Sequence, residues 1–434
     1  MNNEIDNTVH KKCLDSIEKC GILGVSQVMA QIKNASVVIH GPRGCVFPAY
    51  EASIVDNLNF SYTEMCRRST IFGGENDVAE KILDEYYENH PSTIAVVTTC
   101  GSQIIGDDIK GSINKLDLQI PVICIEGGSF TNSQIKGLNK TMYQIVKSIC
   151  RKNSNPQQII NIFATVGKSY TWKEDARQLK ALLHEFGVEA RVLFLDAEIE
   201  EIKEYSDAIL NVMLDQNYGK QCAEYMKEAF SIPYIQVPYP IGLKNSEKFV
   251  QKVIQACNME VLDLEEKLME KRTQARNKFL SSLGRVNTFR HFESIKRLTK
   301  AIAAYEDISF GLLELMIHEL EDSVDYVVIK TTDLDKKEEI KQYIEDNYSV
   351  KEILVTNDRT EVITFLQTHE VQVLFGSDVE YYAVRNNQPV AYVNIEYPGT
   401  YEIHMKDESY TGFLGTLNFI ENYYNKIVNA HKMI

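Results

Sequence analysis

The sequence lacks the features that would place a protein in or across a membrane. Its apolar runs all fall short of the roughly 18 residues that a membrane-spanning helix needs. Its first residues, Met1-Asn2-Asn3-Glu4-Ile5-Asp6, contain neither the basic head nor the apolar segment of a signal peptide. We therefore expect a cytoplasmic protein with no membrane partner.

Clustered basic charge and closely spaced cysteines are also missing. The 46 Lys and Arg residues are scattered and outnumbered by 61 Asp and Glu residues; the net charge is −15, so we expect no nucleic-acid partner. Nine cysteines are too few for a disulfide scaffold in 434 residues, and a cytosol keeps them reduced. No C-x-x-C pair is present, so the spacing does not indicate a zinc ribbon.

What is present is an alternation of short β-branched runs with helical periodicities, which predicts an α/β fold with parallel sheets. A chain of this length exceeds the size at which one hydrophobic core stops growing, so we expect several domains. The predicted division is a first domain over residues 1–155, a second over 156–265, and a helical bridge plus third domain over 266–434. The turn-forming stretch Asn153-Ser154-Asn155-Pro156 marks the first boundary.

Two of the predicted strands end in turns that carry a cysteine. One strand leads to Cys45 and the other to Cys100, while Cys20 precedes a glycine-rich helical stretch. Ligands of doubly wound sheets bind beyond the carboxyl ends of the strands, and helix N-termini there favour the thiolate form that binds metal. Three thiolates are one short of the four that an iron–sulfur cubane needs, which implies a non-cysteine ligand or a second chain.

Four motifs, taken in order, resemble those of the nitrogenase component 1 family. They are Cys20-Gly21-x-x-Gly24, His40-Gly41-Pro42-x-Gly44-Cys45, Ile71-Phe72-Gly73-Gly74-Glu75, and Thr98-Thr99-Cys100 followed by Ile105-Gly106-Asp107-Asp108-Ile109. The resemblance implies three Rossmann-like domains with parallel sheets around a central cleft. It assigns Cys20, Cys45 and Cys100 to an iron–sulfur cluster shared with a partner chain, either the 8Fe–7S P-type cluster or a 4Fe–4S cluster.

The family contains two types of chain, and this sequence resembles the β-type. The α-type carries a cysteine and a histidine that hold the active-site cofactor. Here Asp215 stands where that cysteine would be, and His404, the nearest histidine, is not assigned as a ligand. The resemblance therefore implies no catalytic residues in this chain. It implies an α2β2 heterotetramer with an α-type subunit, and electrons supplied by an ATP-dependent, Fe protein-like reductase, as in nitrogen fixation.

Two alternatives remain open. The chain could be a non-catalytic scaffold for iron–sulfur cofactor maturation, although scaffold β-type chains tend to lose a cluster cysteine and this chain keeps three. It could also belong to a tetrapyrrole-reducing relative, which holds a single cubane with three cysteines from one chain and a fourth ligand from the other.

The remaining candidate residues have structural interpretations. We expect Cys66 to be a spectator, with a role as an extra ligand as the alternative, and His40 to make structural hydrogen bonds. Arg43 could supply positive charge at the cluster or lie on the surface. Asp107 and Asp108 are predicted in the first turn of a helix. The other cysteines are expected to pack in helix or strand interiors: Cys13, Cys124, Cys150, Cys222 and Cys257.

Overall fold

The computed structural model describes residues 19–128, 133–152, 157–283, 294–385 and 389–431. Within these residues thirteen strands form three sheets. They are β1 Ala35–His40, β2 Asn59–Tyr62, β3 Thr93–Thr98, β4 Val122–Glu126, β5 Ile159–Phe163, β6 Glu189–Leu193, β7 Leu210–Met213, β8 Tyr234–Gln236, β9 Lys300–Tyr305, β10 Tyr326–Lys330, β11 Glu352–Thr356, β12 Val373–Gly376 and β13 Ala391–Asn394.

Helices follow or precede nearly every strand, as βαβ connection requires. They are α1 Gly21–Met29, α2 Phe47–Asp56, α3 Arg67–Phe72, α4 Glu75–Asn89, α5 Cys100–Ile105, α6 Ile109–Asn114, α7 Gln134–Ile149, α8 Trp172–Glu185, α9 Ile199–Lys203, α10 Lys220–Phe230, α11 Leu243–Ala256, α12 Leu264–Leu283, α13 Glu306–Leu313, α14 Lys337–Asn347, α15 Arg359–Thr368, α16 Asp378–Val384 and α17 Gly412–His431. None of the helices in the described ranges is long and apolar enough to cross a membrane.

All strand pairs in the three sheets are parallel. The sheet orders are β2-β1-β3-β4, β6-β5-β7-β8 and β11-β10-β9-β12-β13. In the first sheet, β1 and β3 pair over six residues each and are buried along their whole length. Side chains buried on both faces of a central strand explain the near-continuous apolar runs in the sequence. The predicted α/β class with parallel sheets is confirmed.

Contacts divide the chain into two compact units. The N-terminal unit consists of Glu18–Val166 and Glu189–Gln236 and contains the first two sheets; the C-terminal unit contains Gly167–Val188 and Val237–Ile434, with the third sheet. The three-domain boundaries stay a prediction, and the stretch at 153–156 that marks the first of them lies outside the described residues, as does Cys13.

The C-terminal unit keeps its buried charges paired. Lys330, at the end of β10, contacts the carboxylates of Glu380 and Glu396 at 3.2 and 2.7 Å. Asp175 on α8 accepts hydrogen bonds from the Ser409 hydroxyl and the Tyr410 backbone N–H. These contacts hold α8 and the segment before α17 within one unit, because a buried carboxylate must be hydrogen-bonded to be tolerated.

Candidate metal centre

The three predicted cluster cysteines all lie in the N-terminal unit, at strand and helix ends. Cys20 precedes α1, and its Sγ lies 3.5 Å from the carbonyl oxygen of Gly127, just after β4. Cys45 lies in a short 3-10 turn after β1, and Cys100 is the first residue of α5, directly after β3. The strand order reverses between β1 and β3, so two of the cysteines flank the position where parallel sheets bind ligands.

Glycines allow the segment at Cys20 to approach its neighbour. A Cβ at Gly24 would lie 2.0 Å from the Gln134 carbonyl oxygen, and one at Gly137 would lie 2.2 Å from the Gly21 carbonyl oxygen. Helices α1 and α7 therefore cross with their backbones in contact, and the spacing Cys20-Gly21-x-x-Gly24 is a packing requirement of that crossing.

The turn after β3 is also tightly specified. Thr99 caps α5 in a capping box: the backbone N–H of Thr99 donates to the Ser102 hydroxyl at 2.8 Å. The Thr99 hydroxyl donates to the His40 carbonyl oxygen at 3.0 Å, which ties the end of β3 to the end of β1. A Cβ at Gly41 would lie 2.4 Å from the Thr99 methyl group, so only glycine fits between the two cysteine-bearing turns.

The three thiols lie within electrostatic reach of one another. Burial raises the pKa of the Cys45 thiol, and negative charge on Cys20 and Cys100 raises it further. The expectation that helix N-termini would favour a thiolate at Cys45 is therefore wrong for the chain by itself, because burial and like charge outweigh the dipole. A positively charged iron centre would reverse this balance.

The side-chain arrangement fits a cluster of several metal ions better than one ion. Among the residues that the structure describes, no three His, Cys, Asp or Glu side chains converge closely enough to hold a single ion. Cys20, Cys45 and Cys100 are each only half-buried and stand on three separate turns. Because a polynuclear cluster offers iron atoms at different corners, its thiolates stand farther apart than the ligands of one ion.

His40 and Asp107 form a buried hydrogen bond beside this centre. His40 Nε2 lies 2.7 Å from Asp107 Oδ2, His40 Nδ1 lies 3.0 Å from the Thr63 hydroxyl, and Asp107 Oδ1 accepts from the Gly74 N–H at 3.2 Å. A Cβ at Gly74 would lie 2.5 Å from the His40 ring. The expectation that His40 makes structural hydrogen bonds agrees with these contacts.

Asp107 differs from its predicted position. The segment after Cys100 forms two short helices separated at Gly106, whose φ is +82°, and Asp107 lies between them. Asp108 caps α6 by accepting from the Gly111 N–H at 2.9 Å, as the helix-dipole argument expected of a carboxylate there. Asp107 instead turns inward to His40, a long-range contact that local pattern cannot reveal.

The remaining cysteines have different surroundings. Cys150 and Cys222 are fully buried and donate to backbone carbonyl oxygens of Ile202 and Met142, so their interpretation as packing residues agrees with the structure. Cys124 and Cys257 are half-buried. Cys66 is exposed before α3, where hydrogen bonds from the Ser69 backbone N–H and hydroxyl lower the pKa of its thiol. Its role as spectator or ligand stays a prediction.

Two residues considered for an active-site cofactor have other partners. Asp215 is buried and accepts from the Asn217 N–H at 2.7 Å, which is a turn contact. His404 stacks on Tyr170 with the ring planes 10° apart. Arg43 is exposed in the turn before Cys45.

Sequence reasoning missed an apolar surface next to Cys45. Phe47, Tyr50, Ile54 and Val55 all point outward from α2. The signal was available, since positions 47, 50 and 54 follow helical spacing. It was missed because an apolar stripe on a helix is normally assigned to the core.

Comparisons with known proteins agree with the fold and the motifs. A profile of the family described as Nitrogenase component 1 type Oxidoreductase matches residues 20–428. The solved structure titled "Nitrogenase Cp1 at pH 6.5" superposes with a TM-score of 0.80 at 18% identity, covering 96% of this chain and 93% of that one. This likeness confirms the predicted fold class.

Sequence relatives include nitrogenase beta chains and a protochlorophyllide reductase component. The chain is 25% identical to the nitrogenase vanadium-iron protein beta chain of Trichormus variabilis over 55% of its length and 58% of the relative. It is 26% identical to a light-independent protochlorophyllide reductase subunit of Jannaschia sp., over 55% and 47%. It is 23% identical to the nitrogenase iron-iron protein beta chain of Rhodobacter capsulatus, over 73% and 72%. The first two alignments thus span only about half of those relatives. Because the family profile covers nearly the whole chain, this protein belongs to the nitrogenase component 1 type oxidoreductases.

Proposed function

We propose that the chain is a β-type subunit of a nitrogenase-like oxidoreductase and holds one side of an iron–sulfur cluster that a partner chain completes. The observation that carries the proposal is the convergence of Cys20, Cys45 and Cys100 from three separate turns. Their half-buried state supports a shared cluster, because a site complete within one chain would be enclosed by that chain.

The cluster, when bound, would accept and release single electrons. The residues of this chain would determine its environment. The backbones of the three turns hold the sulfur atoms in place, through the capping box at Thr99 and the close approach at Gly41. Burial on the protein side lowers the local dielectric, and burial and hydrogen bonding are the means by which a protein adjusts the reduction potential of such a group.

The proposed partners follow from the shared cluster. An α-type component 1 subunit would supply the remaining ligands and the substrate site, in a heterotetramer of two chains of each type. An ATP-dependent, Fe protein-like reductase would supply electrons. We propose the P-type cluster with eight irons for this complex, since six thiolates from two chains suit eight irons when some sulfurs bridge.

A second candidate function is reduction of a tetrapyrrole. The similarity to light-independent protochlorophyllide reductase favours it, and one such alignment, with the protein of Leptolyngbya boryana, covers 82% of this chain at 22% identity. In that case the three cysteines would hold a four-iron cubane with a fourth ligand from the partner. A maturation scaffold remains the third option.

The test is an iron count on the complex. The chain is purified anaerobically with an α-type component 1 chain from the same genome, and iron is measured per pair of chains. About eight irons support the first proposal and about four the second. Cys45→Ala should abolish the interfacial paramagnetic resonance signal, whereas the matched variant Cys257→Ala, in a half-buried cysteine of the C-terminal unit, should preserve it. An unchanged spectrum in Cys45→Ala would refute the cluster assignment.

A further inference from the structure

Helix α2 is arranged opposite to an ordinary surface helix. Its inward side carries Ala49 and Ala52, which are buried. Its outward side carries the large apolar side chains Phe47, Tyr50, Ile54 and Val55, which are 68%, 52%, 67% and 69% exposed. At 100° per residue, positions 47, 50 and 54 form a stripe on the side opposite Ala49 and Ala52. We call these four outward side chains the α2 stripe.

The α2 stripe begins at the metal centre. Phe47, the first residue of α2, comes two residues after Cys45, and the helix continues the chain directly from the 3-10 turn that holds this cysteine. Any second chain that reaches the half-buried sulfur of Cys45 must therefore come against the beginning of α2. The charged residue within this helix face, Glu51, is paired with Lys19 at 3.2 Å, so the stripe itself carries no unpaired charge.

The stripe has the size and composition of an interface core. A fully exposed aromatic side chain offers about 150–250 Å², so four large side chains more than half exposed provide roughly 500 Å². A standard interface buries about 800 Å² on each partner. Aromatic side chains such as Phe47 and Tyr50 are the type that anchors interfaces. An apolar patch of this size on a lone chain is typical of an interaction site.

We propose that the α2 stripe is the surface that packs against the partner subunit completing the cluster, so that the seam runs from Cys45 along the full length of α2. This inference rests on the proposed function. The occupant is the α-type chain, because the stripe is continuous with the cysteine turn that the partner must reach. A second copy of this chain is the competing occupant, and the test below separates the two.

The test places a charge in the stripe. Ile54→Glu would bury an unpaired carboxylate in the interface, which we expect to weaken association with the α-type chain by about 100-fold. The matched control is Leu262→Glu, at a side chain 79% exposed in the C-terminal unit, which should associate as the wild type does. Both substitutions are at exposed positions, so the isolated chains should keep the wild-type circular dichroism spectrum and melting temperature.

Association is measured by titrating tagged wild-type and variant chains with the α-type chain under anaerobic conditions, and oligomeric state by sedimentation of this chain alone. Ile54→Glu binding with wild-type affinity overturns the inference; the proposed function then still stands if Cys45→Ala loses the cluster signal. A dimer of this chain alone that Ile54→Glu dissociates also overturns it, in favour of a second copy. If the wild-type chain does not bind the α-type chain, the proposed function fails as well.

Discussion

His40 and Asp107 make the buried polar contact nearest to the cysteine turns. Their side chains are nearly inaccessible to solvent, and each has a second partner, Thr63 for His40 and Gly74 for Asp107. Fully satisfied buried networks of this kind fix one local geometry, because every alternative leaves a polar group unpaired. The contact thus supports the turns after β1 and β3 from behind.

Removing the imidazole should be costly. His40→Ala leaves the Asp107 carboxylate without its main partner and should lower the free energy of unfolding by about 1–3 kcal/mol. The measurement is denaturant unfolding of the isolated chain. His90→Asn serves as the control, since His90 is exposed with φ +45°, a backbone conformation that Asn tolerates. Equal unfolding energies for wild type and His40→Ala would contradict the structural role.

At the scale of the element, the crossing of α1 and α7 determines where Cys20 lies. Gly24→Ala should destabilise the chain by about 1–3 kcal/mol, even though alanine is the better helix former, because its Cβ would meet the Gln134 backbone at 2.0 Å. Gly44→Ala is the control, since no atom lies within 4 Å of a Cβ there. Thermal unfolding of both variants checks the prediction. A higher melting temperature for Gly24→Ala would mean that helix propensity dominates.

The start of α11 carries a pH-sensitive contact. Glu319, in a π-helical turn over Glu314–Glu319, accepts hydrogen bonds from the backbone N–H groups of Leu243 and Lys244. Burial raises the pKa of Glu319 from 4.5 to about 7, although these N–H groups and the Lys244 charge oppose the shift; Glu314 adds to it.

Because the pKa is higher in the folded chain, Glu319 stabilises the fold fully below pH 4.5, and this contribution is lost as the pH rises towards 7. The free energy of unfolding should therefore fall by up to about 3 kcal/mol over this range relative to Glu319→Gln, whose side chain does not titrate. Chemical denaturation of both proteins at several pH values from 4.5 to 8 measures the difference. Parallel pH profiles would contradict the assignment.

The elements show how far local pattern determines structure. The strand predicted over 36–40 is observed as Ala35–His40, and the helix predicted over 76–89 as Glu75–Asn89, because burial periodicity alone specifies them. The helix predicted over 25–33 is instead Gly21–Met29. Gly21 and Gly24 read locally as helix breakers, but the contact with α7 requires them inside the helix. That requirement is tertiary and leaves no local signal.

For the whole molecule, the sequence predicted the three cysteines from their positions at strand ends, which parallel topology brings to one edge of a sheet. It could not predict that Asp107 bonds to His40, or that the large side chains of α2 face outward, because both depend on contacts between distant segments. Motif and topology thus specify the centre, whereas the surface around it requires coordinates.

The shared centre also predicts how the isolated chain behaves. Purified without an α-type partner, the chain should contain far less iron than in the complex, because three thiols leave a cluster exposed and under-ligated. Iron analysis of the lone chain before and after anaerobic mixing with the partner measures this. A full iron complement in the lone chain would show that it completes its own cluster.

The carboxylate of Asp107 meets three stretches of chain that are far apart in sequence: its own, the one ending at His40, and the one at Gly73-Gly74. A change in any of them therefore alters the requirements on the other two. Replacing Gly74 would crowd the imidazole, and a bulkier residue at position 40 would need space that only Gly74 leaves. In descendants of this protein the three motifs should consequently be retained together or lost together.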